Sequence, residues 1–352
     1  MVAATFQFLV AAAVIVVAGT FLSKFADVIA EETGLGRLLI GSILLAGGTS
    51  LPELSVDISA VRQGFVDIAV GDLVGSSLAN LLILGIIDLL PGSRGRALSR
   101  ISEAHALPAA LGIVMTALAA MAIVTHSSLA IYNVSVAAVG LVLAYGFGMR
   151  MIYRNQKLAA PYHSSDPDTK REVHRPHPLL KAIVGFGMAA AVIVMAAPFV
   201  ADAAGELAEL SGLGGSFIGT TLVAMSTSLP ELVASLAALR MGAADLALGN
   251  VLGSNVFNMV LLLPLDIVYT GSLFEAVSAT HAITAMCVIV VTGIVVMGQL
   301  YQADRRVRLV EPDGWLIIAL VIGSLVLIYY HRDPASAGHG CAPELVQLRA
   351  RG

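Results

Sequence analysis

Two glutamates stand out, because each lies directly after a proline in a stretch that is otherwise apolar: Glu53 in GTSLPE and Glu231 in STSLPE. A carboxylate near the middle of a bilayer costs at least a few kcal/mol, and such a residue is read first as functional. The 40 residues from 41 to 80 align without a gap on residues 219 to 258 at a constant offset of 178, with 18 of 40 positions identical. Thr49/Thr227, Ser50/Ser228, Pro52/Pro230, Glu53/Glu231, Gly75/Gly253, Ser76/Ser254 and Asn80/Asn258 are among the identities. One polar element occurring once in each half is the pattern of a secondary transporter built from repeats.

Proline removes an N–H and clashes with the carbonyl four residues earlier. The helices around Pro52 and Pro230 are therefore expected to break near Gly48 and Ser226. Freed carbonyls are tolerated at that depth only where they line a cavity or meet an ion. If the two carboxylates face one another, repulsion forces a proton onto one of them unless a cation sits between. Carboxylate, hydroxyl, carbonyl and amide oxygens, without a thiolate or a nearby histidine, suit a hard cation such as Ca²⁺ or Na⁺ better than Zn²⁺ or Cu⁺.

The second piece of each copy is GDLVGSSLAN (71 to 80) and GNVLGSNVFN (249 to 258). Ser76 with Asn80 and Ser254 with Asn258 are spaced i, i+4 and share one helical face. Asp57 lies four residues after Glu53, where the second copy has Ser235, and Asp72 stands where it has Asn250. Two readings of Asp57 follow: it shares a proton with Glu53 one turn away and gives transport a pH dependence, or it lines a water-filled vestibule and attracts cations.

The elements that must hold these groups are membrane helices. The chain of 352 residues is 57% hydrophobic and 12% charged, with mean hydropathy +0.87, whereas about a quarter of residues are charged in soluble domains. With about 20 residues per span, the sequence predicts an all-α polytopic membrane protein with ten spans. They lie near 5–22, 38–61, 68–91, 106–124, 130–149, 181–200, 216–238, 246–269, 280–299 and 314–330. Five fall in each half, so the halves enter the membrane from opposite sides as inverted five-helix repeats. The domains expected are a first repeat (1–149), a cytoplasmic linker (150–181), a second repeat (182–330) and an extracytoplasmic tail (331–352). His163, His174 and His177 in the linker match no strong metal motif, and the segment reads as a solvated link. Glu103, His105, His281 and Cys287 are assigned to the membrane interface or to helix packing.

Lys and Arg set the orientation. Placing both termini outside leaves 16 of the 20 basic residues on the inner side, which the positive-inside rule favours. A multi-pass protein of the cell membrane is the reading, with the lipid bilayer as its surroundings. Nothing in the chain points to a nucleic acid or a resident cofactor.

The strings GTSLPE and STSLPE, each followed about twenty residues later by G(D/N)xxGS(S/N)xxN, resemble the two alpha-repeats of the sodium/calcium exchanger family within the cation/calcium exchanger superfamily. These motifs cover about 80 of the 352 residues, and the layout of five and five spans extends the likeness along the chain. The resemblance implies ten helices in inverted repeats and cation antiport by alternating access. It implies Glu53 and Glu231 as central Ca²⁺ ligands shared in turn with Na⁺. Oxygens of Thr49, Ser50, Thr227, Ser228, Ser76 and Ser254, the carbonyls of Ala46 and Ala224, and Asn80 and Asn258 at the middle complete the implied set. Asn at 258, where potassium-dependent relatives carry Asp, argues against potassium co-transport; Asp57, Asp72 and Ser226 (against Gly48) are further departures.

Other function classes fare worse. No intramembrane nucleophile with a base, no paired-Asp protease motif and no His-rich metal motif is present, so an enzyme is not expected. A cation channel is the rival from another class, since carboxylates and carbonyls also build filters. A Ca²⁺/H⁺ antiporter is the nearest alternative among exchangers.

Overall fold

The computed structural model describes residues 2–90, 105–132, 134–163, 178–210, 224–300 and 314–330. It is almost entirely helical. In chain order the helices are α1 (Val2–Thr33), α2 (Arg37–Thr49), α3 (Leu51–Arg62), α4 (Val66–Leu89), α5 (Ala106–Val124), α6 (Val136–His163), α7 (Pro178–Leu210), α8 (Leu229–Arg240), α9 (Ala244–Val268), α10 (Leu273–Ala276), α11 (Thr280–Leu300) and α12 (Gly314–Tyr330). Among the described residues, seven helices are long and apolar enough to cross a membrane, and α2 with α3, bent by 42° at their junction, make an eighth. The 17-residue α12 is apolar but shorter. The span expected at 216–238 lies partly outside the described residues, as do residues 164–177 of the linker and the whole tail.

Several boundaries move from those read in the sequence. The first helix continues past 22 to Thr33. The fifth span starts at Val136 rather than 130, because Ala130–Ile131 and Val134–Ser135 pair as a small antiparallel hairpin, and it runs on to His163. Gly64 (φ 85°) and Gly242 (φ 78°), which are 178 residues apart, occupy the left-handed region that turns α3 into α4 and α8 into α9.

Among the described residues three bodies of packing result, the smallest between α1 and α7. The largest hydrophobic cluster joins α4, α5, α6, α9, α11 and α12, while a second joins α1, α2, α7, α8 and the start of α9. α4 and α9 cross in opposite directions at the centre of the largest body. Asn255 Nδ2 donates to Ser77 O (3.3 Å) and Asn258 Nδ2 to Leu73 O (3.3 Å), so residue numbers rise along one helix as they fall along the other. The far ends of these helices are tied in a reciprocal way. Asp88, in the last turn of α4, accepts from Gly314 N (3.0 Å) at the start of α12, and Asp266, 178 residues later near the end of α9, accepts from Ser135 N (2.5 Å) just before α6. Each carboxylate satisfies an N–H at the start of a helix from the other half, where intrahelical acceptors are lacking.

Candidate ion-binding site

Each glutamate sits in the first turn of a short helix: Leu51, Pro52 and Glu53 open α3, and Leu229, Pro230 and Glu231 open α8. The residue before each opening is a serine out of helical geometry, Ser50 (φ −88°, ψ 6°) and Ser228 (φ −79°, ψ 5°). The break therefore falls at Ser50 and Ser228 rather than at Gly48 and Ser226. Proline is well suited to the first turn of a new helix, whose N–H groups have no intrahelical acceptor. A carboxylate in that turn also sits at the positive end of the helix dipole. Upstream, α2 carries a π-helical turn over Gly41–Leu45, pressed against α9.

The two openings meet. Ser50 Oγ donates to Glu231 Oε1 across 3.1 Å, joining the halves at the carboxylates, and both Glu53 and Glu231 are only 1% exposed. Thr49 Oγ1 approaches Asn250 Oδ1 at 3.2 Å, and at the corresponding positions Thr227 Oγ1 approaches Asp72 Oδ1 at 3.4 Å. The threonine of each broken helix thus reaches the long polar helix of the other half. Sequence reading did not give Asn250 a place in this network; the constant offset that pairs it with Asp72 was the signal.

Many oxygens here have no donor. Glu53 Oε2, Glu231 Oε2, Ser76 Oγ, Ser228 Oγ, Ser254 Oγ, Asn80 Oδ1 and Asn258 Oδ1 are buried without a hydrogen-bond partner among the described residues. An orphaned buried polar atom costs about 1–3 kcal/mol, and so many of them together fit a region built to hold a hard cation. Ala46 O and Ala224 O behave differently. They accept from Ser50 N (2.9 Å) and Ser228 N (3.0 Å), as in a continuing helix, and also from the Thr49 and Thr227 hydroxyls, so only a shared lone pair is left for an ion. Among the described residues no three Asp, Glu, His or Cys side chains form a metal cage. An ion would draw on hydroxyls and amides as much as on the two glutamates.

Asp57 and Asp72 depart from the expected arrangement. Both are buried, and their carboxyl groups lie near each other, α3 against α4. The contact partner of Asp57 is therefore Asp72, on the neighbouring helix. Asp57 is 0% exposed, so in this structure it lines no open vestibule. In the other half the same two positions hold a neutral pair, with Asn250 Nδ2 donating to Ser235 Oγ at 2.9 Å.

The sequence profile of the family described as sodium/calcium exchanger protein matches this chain twice, over residues 3–154 and 181–333. The chain belongs to the sodium/calcium exchanger family. That is a family of transporters rather than of catalysts, and it makes the chain a multi-pass membrane protein of cation exchange. Over 308 residues the chain is 29% identical to the putative antiporter CaxA of Alkalimonas amylolytica, covering 86% of this chain and 92% of that one. Over 355 residues it is 27% identical to the sodium/calcium exchanger MaX1 of Methanosarcina acetivorans, covering 94% and 100%. In fold it resembles a solved structure of the sodium-calcium exchanger NCX_Mj, with a TM-score of 0.69 at 21% identity, covering 94% of this chain and 99% of that one.

Proposed function

We propose that this exchanger moves Ca²⁺ against Na⁺ by alternating access, with Glu53 and Glu231 as the central ligands of the transported ion. The observation that carries the reading is the meeting of two buried glutamates from opposite halves through Ser50 and Glu231 (3.1 Å), amid buried oxygens that lack donors. Thr49, Thr227, Ser50, Ser228, Ser76, Ser254, Asn80 and Asn258 supply the remaining oxygens, with Ala46 O and Ala224 O in a lesser role. The ions are substrates, and the reading includes no resident cofactor. Exchange is obligatory because two buried carboxylates left without a cation oppose the rearrangement of the helices that carry them.

The reading extends to architecture: ten spans in two inverted five-helix repeats, both termini outside, the 150–181 linker in the cytoplasm and the protein in the cell membrane. The antiparallel crossing of α4 and α9 and their reciprocal contacts support the inverted relation. The double match of one family profile supports it from the sequence side.

Proton coupling is the second reading, and one observation favours it: the Asp57–Asp72 contact is a place where a proton can be held beside the ion ligands. Uptake of ⁴⁵Ca²⁺ into proteoliposomes separates the readings. Uptake driven by an imposed Na⁺ gradient and indifferent to a pH gradient is the expected result. Uptake driven only by the pH gradient transfers the assignment to a Ca²⁺/H⁺ antiporter, and Ca²⁺ flux that needs no counter-ion on the far side transfers it to a channel.

A further inference from the structure

α4 and α9 carry Ser76, Asn80, Ser254 and Asn258 to the site, so whatever fixes the height and rotation of these two helices fixes those oxygens. Because the helices run antiparallel, their first turns lie at opposite ends of the helical body. Each first turn holds an aspartate, Asp67 and Asp245, 178 residues apart. Asp67 Oδ1 accepts from Ser278 N (2.8 Å) and lies 3.2 Å from His281 Nε2, at the start of α11. Asp245 Oδ1 lies 3.2 Å from His105 Nε2, on the residue that precedes α5, at ion-pair distance though not aligned as a hydrogen bond. α11 belongs to the second half and α5 to the first. Each aspartate therefore meets a histidine from the other half, at the start of a helix in the same position of its repeat.

The pair on α4 grips at two levels. A Cβ on Gly71 would lie 3.0 Å from His281 Cε1, so the imidazole rests on the α4 backbone one turn beyond the carboxylate it meets. Two contacts one turn apart constrain both sliding and rotation. Ser76 and Asn80 follow Asp67 by nine and thirteen residues, and Ser254 and Asn258 follow Asp245 by the same intervals. These are roughly 14 and 20 Å along a stiff helix at about 1.5 Å per residue, so a shift at the first turn reaches the ligand oxygens. The two pairs differ in company. Asp245 also feels Arg37, which bonds Asp27 and Glu31 of α1, whereas Asp67 has His281 beside it.

We propose that Asp67–His281 and Asp245–His105 are reciprocal clasps between the halves, positioning α4 and α9 and thereby setting ion affinity, a role that rests on the exchanger reading above. Sites in direct contact couple, whereas distant independent ones add. The test measures the Ca²⁺ concentration for half-maximal uptake, the maximal rate and equilibrium ⁴⁵Ca²⁺ binding to purified protein. The variants are Asp67→Asn, His281→Ala, their double, Asp245→Asn, His105→Ala and a cross-clasp double, His281→Ala with His105→Ala. Each single change is expected to raise the half-maximal concentration about 3- to 10-fold with the maximal rate within about twofold. The Asp67/His281 double should be no worse than its worse single, and the cross-clasp double should multiply.

Unchanged half-maximal concentrations overturn the proposal. So does a fall in maximal rate alone, which signals only fewer folded copies, or multiplication within one clasp. His281→Gln, which keeps a donor, should recover part of the affinity even where Asp67→Asn does not fold. Wild-type protein that binds ⁴⁵Ca²⁺ but exchanges nothing refutes the exchanger reading, and the binding arm still reads the clasps.

Discussion

Asn250 donates to Ser235 over 2.9 Å in one half, and at the same two positions of the other half Asp72 and Asp57 bring two carboxyl groups together. Both oxygens of Asp57 and Oδ2 of Asp72 have no donor, while Asp72 Oδ1 meets Thr227. The fold thus carries, in its own second half, a neutral solution to the same local geometry. Installing it by Asp57→Ser with Asp72→Asn should relieve orphaned buried atoms at about 1–3 kcal/mol each. The ion-free double variant is expected to melt several degrees higher than the parent and to retain exchange. A melting temperature equal to or below the parent's means that the acid pair is already satisfied in solution.

Ser50 and Ser228 are equivalent by sequence but not in this structure. Ser50 Oγ donates to Glu231, whereas Ser228 Oγ has no partner among the described residues. Removing one partner of a buried hydrogen bond leaves the other unsatisfied, at a cost of about 1–3 kcal/mol. Ser50→Ala should therefore lower ion-free stability clearly and Ser228→Ala hardly at all, while both weaken Ca²⁺ binding. Equal thermal shifts for the two ion-free variants would show that the asymmetry is not that of the resting protein.

Glu53→Gln and Glu231→Gln keep the shape of the buried pair and remove one charge each. If the two carboxylates hold the ion together, either change should cut exchange by about 100-fold or more, the equivalent of roughly 3 kcal/mol at about 1.4 kcal/mol per tenfold. The purified variants should elute and melt as folded protein. Wild-type exchange rates in both single variants would remove the glutamates from the mechanism.

Much of this was legible beforehand because repeats and apolar runs are properties of a linear string. The offset of 178, the proline–glutamate openings and most span positions needed nothing more. What a string does not carry is which helix crosses which. Asp57 sits one turn from Glu53 in sequence, and only the packing of α3 on α4 reveals Asp72 as its neighbour. His105 and His281 read as interface residues, since their partners lie 140 and 214 residues away in the opposite halves. The break at Ser50 escaped because proline rules name the carbonyl that loses its donor, while helix-start preferences decide where the next helix opens.

Gly75 and Gly253 are equivalent in sequence and meet different surroundings among the described residues. A Cβ on Gly253 would lie 2.4 Å from Ser42 Cα and 2.6 Å from Ser42 O, backbone atoms of the π-helical turn. Among the described residues, a Cβ on Gly75 would meet only Ala224 Cβ at an ordinary 3.5 Å. Overpacking costs about 1–3 kcal/mol, and more where the backbone must move, whereas alanine is favoured over glycine in a helix interior by about 1 kcal/mol. Gly253→Ala should lose folded yield and transport together, and Gly75→Ala should melt at or above the parent. The reverse order, measured on detergent-purified protein, would contradict the close approach of α2 to α9.

The proposed inverted arrangement leaves the orientation to be tested. If the N-terminus lies outside and the chain makes ten spans, as proposed, Arg37 at the start of α2 and Arg240 at the end of α8 both face the cytoplasm, as do 16 of the 20 basic residues. The opposite orientation would put those 16 outside, against the bias that governs short loops. Cys341, in the tail outside the described residues, then lies on the outer surface, while Cys287 is buried within α11. With Cys287 replaced by alanine, a membrane-impermeant thiol reagent should label Cys341 in intact cells as fully as in permeabilised ones. Labelling that appears only after permeabilisation would invert the topology and exchange the sides on which the Asp67 and Asp245 clasps lie.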